Sequence, residues 1–374
     1  MRVWGITGTN GKTTVTWILA EFLRAGGFRT GYITTVETDT LSRKIYTGYT
    51  TPPLAQLKEI FAEMEANGAT DCVMEVSSHA IHQRRTGDTI FAGGGFTNIS
   101  EDHLDYHKTM EEYFRVKLSF AEQIARENRS GKPPPFAVCI DGEGGERMYE
   151  ACRRISGLDA FSVTAKPPAF DFSGLQLVGD YNKSNVALAG ALALVAGVPY
   201  DAVQRTIPLL RPRWGRLEPV ANPLVAADVY VDFAHTPDGL EKVLSAARGF
   251  CRGKLWCVFG AGGDRDAKKR PLMGAAVARL ADFAVVTSDN PRSEDPAAII
   301  GAITEGMRGG KAESVVEPDR RKAICLALGK AQKGDVVVVC DKGHETTQEI
   351  KGVKHPFDDR EVVRKFPNKH GEYK

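Results

Sequence analysis

The sequence predicts an α/β protein with two mostly parallel sheets, because short apolar runs alternate with longer segments of helical periodicity. The apolar runs have the length of strands and cover residues 2–7, 72–76, 229–233, 254–259, 283–287 and 335–340. The patterned segments between them include residues 14–25, 54–66, 269–281, 297–308 and 320–330. Strands that are apolar throughout are typical of a sheet covered by helices on both faces.

A break in this alternation predicts two domains. Residues 211–227 contain several prolines and little periodicity, and they separate two series of strands and helices. We therefore expect a first domain over residues 1–221, with a P-loop-type, mostly parallel sheet, and a Rossmann-like α/β domain over residues 222–374.

Composition excludes several classes of protein. The chain has 374 residues, 42% hydrophobic and 26% charged, with a net charge of +2, which provides no basic field for nucleic acid. No window approaches the ~18 apolar residues of a membrane span, and the N-terminus lacks a signal-peptide pattern. The seven cysteines are scattered without CxxC spacing, which predicts reduced thiols in a cytoplasmic protein.

The segment GTNGKTT predicts a phosphate-binding loop. It follows the first strand and opens a helix, so that backbone N–H groups and the helix N-terminus face an anion. Lys12 would reach the β- and γ-phosphates of ATP, and the Thr13 hydroxyl would bind Mg²⁺. An ordinary glycine-rich turn is the alternative, but it leaves Lys12 and two threonines unexplained. The predicted nucleotide contacts are Gly8, Thr9, Asn10, Gly11, Lys12, Thr13 and Thr14.

Three more residues become candidates by position. Glu75 ends an apolar strand, where a carboxylate can hold a cation beside the phosphate loop. His103 lies in the polar cluster NISEDHLDYH, for which a solvated loop is the alternative. Lys117 lies in a helical segment over residues 110–122 and, taken alone, is expected to be a surface lysine.

Together these segments resemble the Mur ligase family. The matching motifs run in order from the first residue nearly to the last: GITGTNGKTT, TTPPLAQL, MEVSSHAIHQRR, FTNISEDHLDYHKTMEEYFRVK, GDYNKSN, GRLEPV, VDFAHTPDGL, VFGAGGDRDAKKRP, TSDNPRSEDP, DKGHET and FDDREV. The resemblance implies an ATP-dependent ligase that joins an amino acid to a carboxylate through an acyl-phosphate in peptidoglycan synthesis.

The resemblance also implies roles for individual residues. The catalytic set would be Lys12, Glu75, His103 and Lys117, and Mg²⁺ would be held by Thr13, Glu75, His103 and Lys117 carrying a CO₂-derived carbamate. Further ATP contacts would come from Asn182, Asn185, Arg216 and Asp232. His235, His344 and Glu345 remain alternatives for the group that accepts the amine proton.

Two substrates are implied, both small molecules. The muramoyl-dipeptide acceptor would contact Thr50, Thr51, Ser77, Gln83 and Arg85. The incoming amino acid, expected to be meso-diaminopimelate, would contact Arg265, Asn290, Arg292, Asp341 and Glu345. Arg292 would clamp its distal carboxylate bidentately. Asp341 departs from the family pattern, which has glycine there, and we expect its carboxylate to face the amino acid.

The start of the chain is another departure. Family ligases carry an N-terminal UDP-binding domain before the phosphate loop, whereas here the first strand begins at once. We expect that domain to be absent, so an alternative function is a ligase with a UDP-free acceptor, as in cyanophycin-like or secondary-metabolite pathways. A non-catalytic ATP-binding subunit is a third hypothesis. We expect a monomer that closes about residues 211–227.

Overall fold

The computed structural model describes residues 1–366. The chain divides into two compact units, Met1–Leu210 and Arg211–Lys374. The boundary lies after Leu210, before the position expected after residue 221. Residues 211–221 belong to the second unit because their backbone is hydrogen-bonded to it. The N–H of Phe233 donates to Gly215 O at 2.8 Å, and the N–H of Leu217 donates to Asp232 Oδ2 at 2.6 Å.

The first unit is built on a sheet whose strands are separated by helices. Its strands are β1 (Arg2–Thr7), β2 (Thr30–Ile33), β3 (Thr38–Asp39), β4 (Lys44–Ile45), β5 (Asp71–Glu75), β6 (Phe91–Phe96), β7 (Pro135–Cys139) and β8 (Asp159–Val163). Its helices are α1 (Lys12–Ala25), α2 (Leu54–Ala66), α3 (Ser78–His82), α4 (Leu104–His107), α5 (Met110–Glu127), α6 (Gly145–Cys152), α7 (Asp180–Val195) and α8 (Tyr200–Thr206), with a 3₁₀ turn at Ile207–Leu209.

The strand order of this sheet is β4-β3-β2-β5-β1-β6-β7-β8. The strands from β2 to β8 in that order are parallel, whereas β3 and β4 form an antiparallel edge. Phosphate-loop strand β1 lies at the centre, between β5 and β6. The carboxyl ends of these three strands therefore lie side by side, where ligands bind in open α/β sheets.

Glycines let helix α5 approach the centre of the sheet. A Cβ at Gly5 of β1 would lie 2.4 Å from Phe120 Cζ, and one at Gly94 of β6 would lie 2.8 Å from Ile124 Cδ1. Both helix residues are buried. The missing side chains on the sheet thus create the space that α5 fills, and they bring Lys117, one turn earlier, to the phosphate loop.

The second unit contains a mixed sheet and a separate hairpin. Its strands are β9 (Glu218–Pro219), β10 (Asp228–Val231), β11 (Leu255–Phe259), β12 (Phe283–Val286), β13 (Glu313–Val316), β14 (Val336–Val339), β15 (Thr347–Ile350) and β16 (Val353–Pro356). Its helices are α9 (Pro237–Arg248), α10 (Lys269–Leu280), α11 (Pro296–Gly306), α12 (Arg320–Lys330) and α13 (Asp359–Arg364). The sheet order is β13-β12-β11-β14-β10-β9, parallel except for β9, and β15 pairs antiparallel with β16.

Each sheet is fixed at its amino end by the same interaction. In the first unit, the buried carboxylate of Asp71 accepts the indole N–H of Trp4 at 3.0 Å. In the second, Asp335 accepts that of Trp256 at 3.1 Å. A buried indole needs an acceptor, so each pair allows a large apolar ring to pack in the core without an unsatisfied N–H.

The helices within residues 1–366 include none with the length and hydropathy of a membrane span. All seven cysteines are free thiols, and five of them are buried.

Candidate active site

The predicted nucleotide and metal residues of the first unit gather at the carboxyl ends of its central strands. Glu75, the last residue of β5, is in register with Ile6 of β1, just before the phosphate loop. Thr97 and Asn98 follow β6 on the other side of β1. Parallel strand order thus brings segments that lie far apart in sequence to one edge of the sheet.

The phosphate loop is held in place by the segment after β6. The N–H of Thr9 donates to Asn98 O at 2.8 Å, and the N–H of Asn10 donates to Asn98 Oδ1 at 3.1 Å. The Thr97 hydroxyl donates to Asn10 O at 2.6 Å. Neither Thr97 nor Asn98 was among the residues predicted from the sequence to have a role. Their contacts depend on the pairing of β6 with β1, which a single sequence does not reveal.

Two lysines donate to the same carbonyl of this loop. Lys12 Nζ lies 3.1 Å from Gly8 O and 2.8 Å from Thr9 O, and Lys117 Nζ lies 2.7 Å from Gly8 O. Lys117 is 1% exposed, with its amine over the Tyr113 ring. Burial, followed by the charge of Lys12, holds the pKa of Lys117 well below its usual range. Lys117 is therefore not the surface lysine that its helix alone suggests.

Glu75 is buried and directed toward a threonine from the neighbouring strand segment. Its Oε1 accepts the N–H of Thr35 at 2.8 Å, and the Thr35 hydroxyl lies 3.2 Å from both carboxylate oxygens. The same hydroxyl donates to Thr50 Oγ1 at 3.0 Å. Thr35 was not predicted from the sequence, although it closely follows β2, whose carboxyl end lies beside that of β5.

The predicted acceptor residues are linked to one another. The Thr51 hydroxyl donates to Glu75 O at 2.9 Å and accepts the N–H of Ser77 at 3.0 Å. Arg85 donates to Thr51 O at 3.1 Å and to Gln83 Oε1 at 2.9 Å. The structure thus brings Thr50, Thr51, Ser77, Gln83 and Arg85 together beside Glu75.

His103 occupies the turn before α4, with a φ of 56°. Its half-exposed ring lies 3.4 Å from Asp102 Oδ2 and edge-on to His79. Desolvation lowers the pKa of His103 below its usual range; the negative charge of Asp102 opposes that shift, and the positive charges of His79 and Lys12 add to it. The imidazole is therefore in the neutral form that binds metals.

Within residues 1–366, no group of three or more His, Cys, Asp or Glu side chains is arranged to hold a metal ion by itself. Mg²⁺ keeps several waters and is commonly held by one or two carboxylates together with substrate phosphates. The buried Glu75 and the Thr13 hydroxyl in the first turn of α1 offer oxygen atoms of the kind that such an ion binds, whereas the neutral His103 offers a ring nitrogen.

The predicted asparagine pair lies against the phosphate loop. Asn182 Nδ2 donates to Val178 O at 2.7 Å, and Asn185 Nδ2 donates to Asn182 Oδ1 at 3.0 Å. Gly11 has a φ of 86°, and a Cβ there would lie 2.6 Å from Asn185 Oδ1. The loop and helix α7 can be this close only because residue 11 lacks a side chain.

Arg216 and Asp232, each predicted as an ATP contact, lie in the second unit close enough for the charge of Arg216 to act on Asp232. Asp232 accepts the N–H groups of Leu217 and Ala234 at 2.6 and 2.8 Å. Burial raises the pKa of Asp232, although the positive charge of Arg216 opposes that shift. The Arg216 guanidinium lies 4.8 Å from the centre of the Phe233 ring. Arg216 therefore makes a cation–π contact and also acts on Asp232 through its positive charge.

The two candidate histidines lie beside Phe233. His235 Nδ1 is 2.8 Å from Phe233 O, and the His344 ring centre is 4.9 Å from that of Phe233. Burial, together with the charge of Arg216, lowers the pKa of His344 to about 3. An imidazole with so low a pKa is a weak proton acceptor, which disfavours His344 as the general base.

Four of the residues predicted to contact the amino acid lie in the second unit as two pairs. Asn290 is paired with Glu345, and Arg265 lies near Arg292. Asn290 Nδ2 donates to Glu345 Oε2 at 2.8 Å. Arg292 Nη1 donates to Gly263 O at 2.6 Å, and Arg292 Nε lies 3.7 Å from Glu349 Oε2. The exposed Arg265 is next to Arg292, because both side chains flank Gly262.

Lys342 is a further polar residue of this region that sequence analysis missed. Its side chain is fully buried, with Nζ 3.1 Å from Asn290 Oδ1 and 3.1 Å from Glu345 Oε2. In the sequence, the only indication of a role for Lys342 was its position in the motif DKGHET, directly after an apolar strand.

Asp341 does not lie where it was expected. Its side chain is 2% exposed and accepts the N–H of Gly260, and Oδ2 lies 3.7 Å from Arg320 Nη1. Its backbone has a φ of 84°, and no donor within residues 1–366 reaches Oδ1. Arg320 is itself held by both oxygens of Asp359, at 2.7 and 2.8 Å. Asp341 thus belongs to a buried ionic network and not to a substrate-facing surface.

We predict that Gly11→Ala weakens ADP binding at least about tenfold. The added methyl group would collide with Asn185 and displace the loop, and a loss of about 1.4 kcal/mol in binding free energy gives a tenfold change. Gly27→Ala is the matched control, because Gly27 has a φ of 89° and a Cβ added there would meet no atom within 4 Å. Both variants suffer the backbone strain of ~1–2 kcal/mol, but only Gly11→Ala meets Asn185. Titration calorimetry measures the affinity, and equal affinities in the two variants would contradict the prediction.

We also predict that Asp341→Asn raises the melting temperature more at about pH 8 than at about pH 5.5. Burial, followed by the charge of Asp289, raises the pKa of Asp341 well above its usual range. The folded protein therefore binds this proton more tightly than the unfolded chain, and wild-type stability falls as pH rises above about 4, by at most ~1.4 kcal/mol per pH unit. The asparagine variant lacks this dependence. A difference in melting temperature that stays constant or shrinks toward high pH would refute the prediction.

Comparison with known proteins identifies the scaffold. Residues 6–154 match the Mur ligase middle domain, and residues 215–343 match the Mur ligase, glutamate ligase domain. The UDP-N-acetylmuramoyl-L-alanyl-D-glutamate--2,6-diaminopimelate ligase of Aquifex aeolicus is 40% identical over 98% of this chain and 77% of its own length. The ligase of the same name from Bacillus licheniformis is 38% identical over 98% of this chain and 78% of its own length.

Solved structures agree with the sequence comparisons. A ligase of the same name has a TM-score of 0.62 at 30% identity, covering 97% of this chain and 77% of its own. A folylpolyglutamate synthase/dihydrofolate synthase from Yersinia pestis, complexed with AMPPNP and Mn ion, shares the fold at 17% identity, with a TM-score of 0.65 over 92% of this chain and 86% of its own. The chain described here belongs to the Mur ligase family of ATP-dependent ligases.

Proposed function

We propose that this ligase joins 2,6-diaminopimelate to the D-glutamate carboxylate of a muramoyl-L-alanyl-D-glutamate acceptor and releases ADP and phosphate. The names of the relatives from Aquifex aeolicus and Bacillus licheniformis support this activity. They favour it over the alternative of a cyanophycin-like or secondary-metabolite ligase.

The observation that carries the proposal is the position of the Thr51 hydroxyl. It bonds to the backbone of both Glu75 and Ser77, so the predicted acceptor residues and the predicted metal residue share one hydrogen-bonded turn. That turn lies at the carboxyl end of β5, next to the strand that carries the phosphate loop. An acceptor carboxylate bound there would lie near the terminal phosphate of ATP.

The first chemical step would be attack by the acceptor carboxylate on the γ-phosphate, which forms an acyl-phosphate and ADP. Backbone N–H groups of residues 8–14 and the Lys12 ammonium would stabilise charge on the transferring phosphoryl group. Lys12 donates to the Gly8 and Thr9 carbonyls, so it would exchange these contacts for phosphate oxygens. Thr13, Glu75, His103 and a carbamate on Lys117 would hold Mg²⁺, which neutralises phosphate charge when bound.

The environment of Lys117 supports carbamylation. A neutral amine adds CO₂ to give a carbamate and releases one proton, so a lysine must first lose its charge. Burial and the nearby Lys12 both favour that loss by lowering the pKa of Lys117. The product is an anion, which would lie close to the Lys12 cation and replace cation–cation repulsion with attraction.

The second step would be attack of the amino group on the acyl carbon, with loss of phosphate. The pair Arg265 and Arg292 beside Gly262 supports binding of the distal carboxylate of diaminopimelate. Lysine lacks this group and would forgo the charge-assisted hydrogen bonds to these arginines, which are worth ~1.5–3 kcal/mol.

We predict that the purified chain, given ATP and Mg²⁺, releases ADP and forms the amide with meso-diaminopimelate, about 10- to 100-fold more efficiently than with L-lysine. UDP-linked and UDP-free muramoyl-L-alanyl-D-glutamate are tested side by side. Arg292→Ala should lower kcat/KM for diaminopimelate far more than it changes the KM for ATP. No ADP release with either acceptor, or better use of lysine, would overturn the proposal.

We predict that Lys117→Ala lowers kcat at least about 10²-fold, because the site loses an anionic metal ligand. A short carboxylic acid should partly restore turnover to this variant by replacing the carbamate. Lys58→Ala, at an exposed lysine of α2, is the control and should leave kcat unchanged.

Carbon-13 NMR of protein supplied with ¹³C-bicarbonate tests the carbamate directly. Wild type and Lys58→Ala should show a carbamate signal that Lys117→Ala lacks. Near wild-type turnover in Lys117→Ala without an added acid would refute the role of the carbamate.

A further inference from the structure

The second unit contains a fully buried lysine to which neither the sequence nor the proposed reaction assigns a task. Lys342 follows strand β14 and its side chain is 0% exposed. Three oxygen atoms surround its ammonium: Asn290 Oδ1 at 3.1 Å, Glu345 Oε2 at 3.1 Å and Asp289 Oδ1 at 3.5 Å. Two of these contacts are hydrogen bonds and the third is an ion pair, so the ammonium is engaged by groups of the protein itself.

Asn290 is in the same situation. Its Oδ1 accepts from Lys342 Nζ and from the N–H of Glu349 at 2.9 Å. Its Nδ2 donates to Glu345 Oε2 at 2.8 Å and to Asp289 Oδ1 at 3.3 Å. All four hydrogen-bonding positions of the amide are used within the protein. Asn290, expected to contact the amino acid, is thus itself part of the supporting structure.

Glu345 is the member of this group that retains both access and capacity. The bonds from Lys342 and Asn290 converge on one oxygen, Oε2, and the side chain is 33% exposed. Because both donors hold Oε2, the orientation of the carboxylate is fixed and Oε1 is available to an ammonium. The group formed by Asp289, Lys342 and Glu345 has two negative charges and one positive charge. The Glu345 carboxylate therefore presents a negatively charged oxygen to a cationic ligand.

We propose that Lys342 and Asn290 are positioning residues that fix the carboxylate of Glu345 as the binding group for an ammonium of the amino-acid substrate. The proposal rests on the proposed function and assigns to Lys342 a role that acts only through Glu345. The lowered pKa of Asp289, to which Lys342 contributes, is consistent with a charged lysine at this position.

Lys342→Met tests the proposal, because it keeps most of the unbranched side chain and removes the charge and its donors. We expect the KM for meso-diaminopimelate to rise about 10–100-fold, as for other residues that orient a ligating group, with the KM for ATP within about twofold. An unchanged KM for the amino acid in a folded variant would overturn the proposal.

A double-mutant cycle separates positioning from a general structural effect. Glu345→Gln removes the ammonium-binding charge, and the double variant Lys342→Met/Glu345→Gln removes one charge of each sign and leaves the net charge of the group unchanged. If Lys342 acts through Glu345, the double variant should have the same KM for the amino acid as Glu345→Gln. Independent, additive increases would refute the proposal, as would failure of the charge-balanced double variant to fold.

Calorimetric titration of meso-diaminopimelate alone makes this test independent of turnover. A wild-type chain that binds the amino acid but never releases ADP would refute the proposed function. The double-mutant cycle could then still be measured from the affinities of the variants for the amino acid. A wild-type chain that turns over while both Lys342→Met and Glu345→Gln keep wild-type affinity would refute the role of Lys342 alone.

Discussion

The carbonyl of Gly8 is the point on which the candidate catalytic site of the first unit depends. Two lysines from different helices donate to it, so two amines that repel each other when both are protonated are held at the mouth of the phosphate loop. Such repulsion is tolerable only if one amine loses its charge or an anion enters. The Lys12 ammonium would attract the negative charge of a triphosphate. It would likewise attract the negative charge of a carbamate on Lys117.

This arrangement is a consequence of packing. Lys117 reaches Gly8 because helix α5 lies directly on glycines of β1 and β6, where any side chain would hold it away. The loop is in turn fixed by Thr97 and Asn98, which follow β6. The glycines of FAGGGF therefore matter to the chemistry although none of them contacts a predicted substrate position.

In the second unit, buried positive charges are balanced by carboxylates. Buried cations at Arg320 and Lys342 lie among buried or half-buried carboxylates, and each cation is paired with more than one of them. Removal of one partner from such a network leaves an uncompensated charge in a medium of low polarity. The network therefore fixes the positions of Asn290 and Glu345 more rigidly than hydrogen bonds between exposed side chains would.

The sequence alone determined the alternation of strands and helices, the phosphate loop and the family, because periodicity and local motifs need no tertiary contacts. Helices 54–66 and 320–330 have the bounds expected from their apolar pattern. Local sequence offered no sign that Lys117 is buried, that Thr35 contacts Glu75 or that Lys342 joins Asn290 to Glu345. Only the tertiary structure decided these, because they depend on which strands are neighbours. It also turned Asp341 inward, where the carboxyl group lies beside the buried guanidinium of Arg320 and accepts the N–H of Gly260.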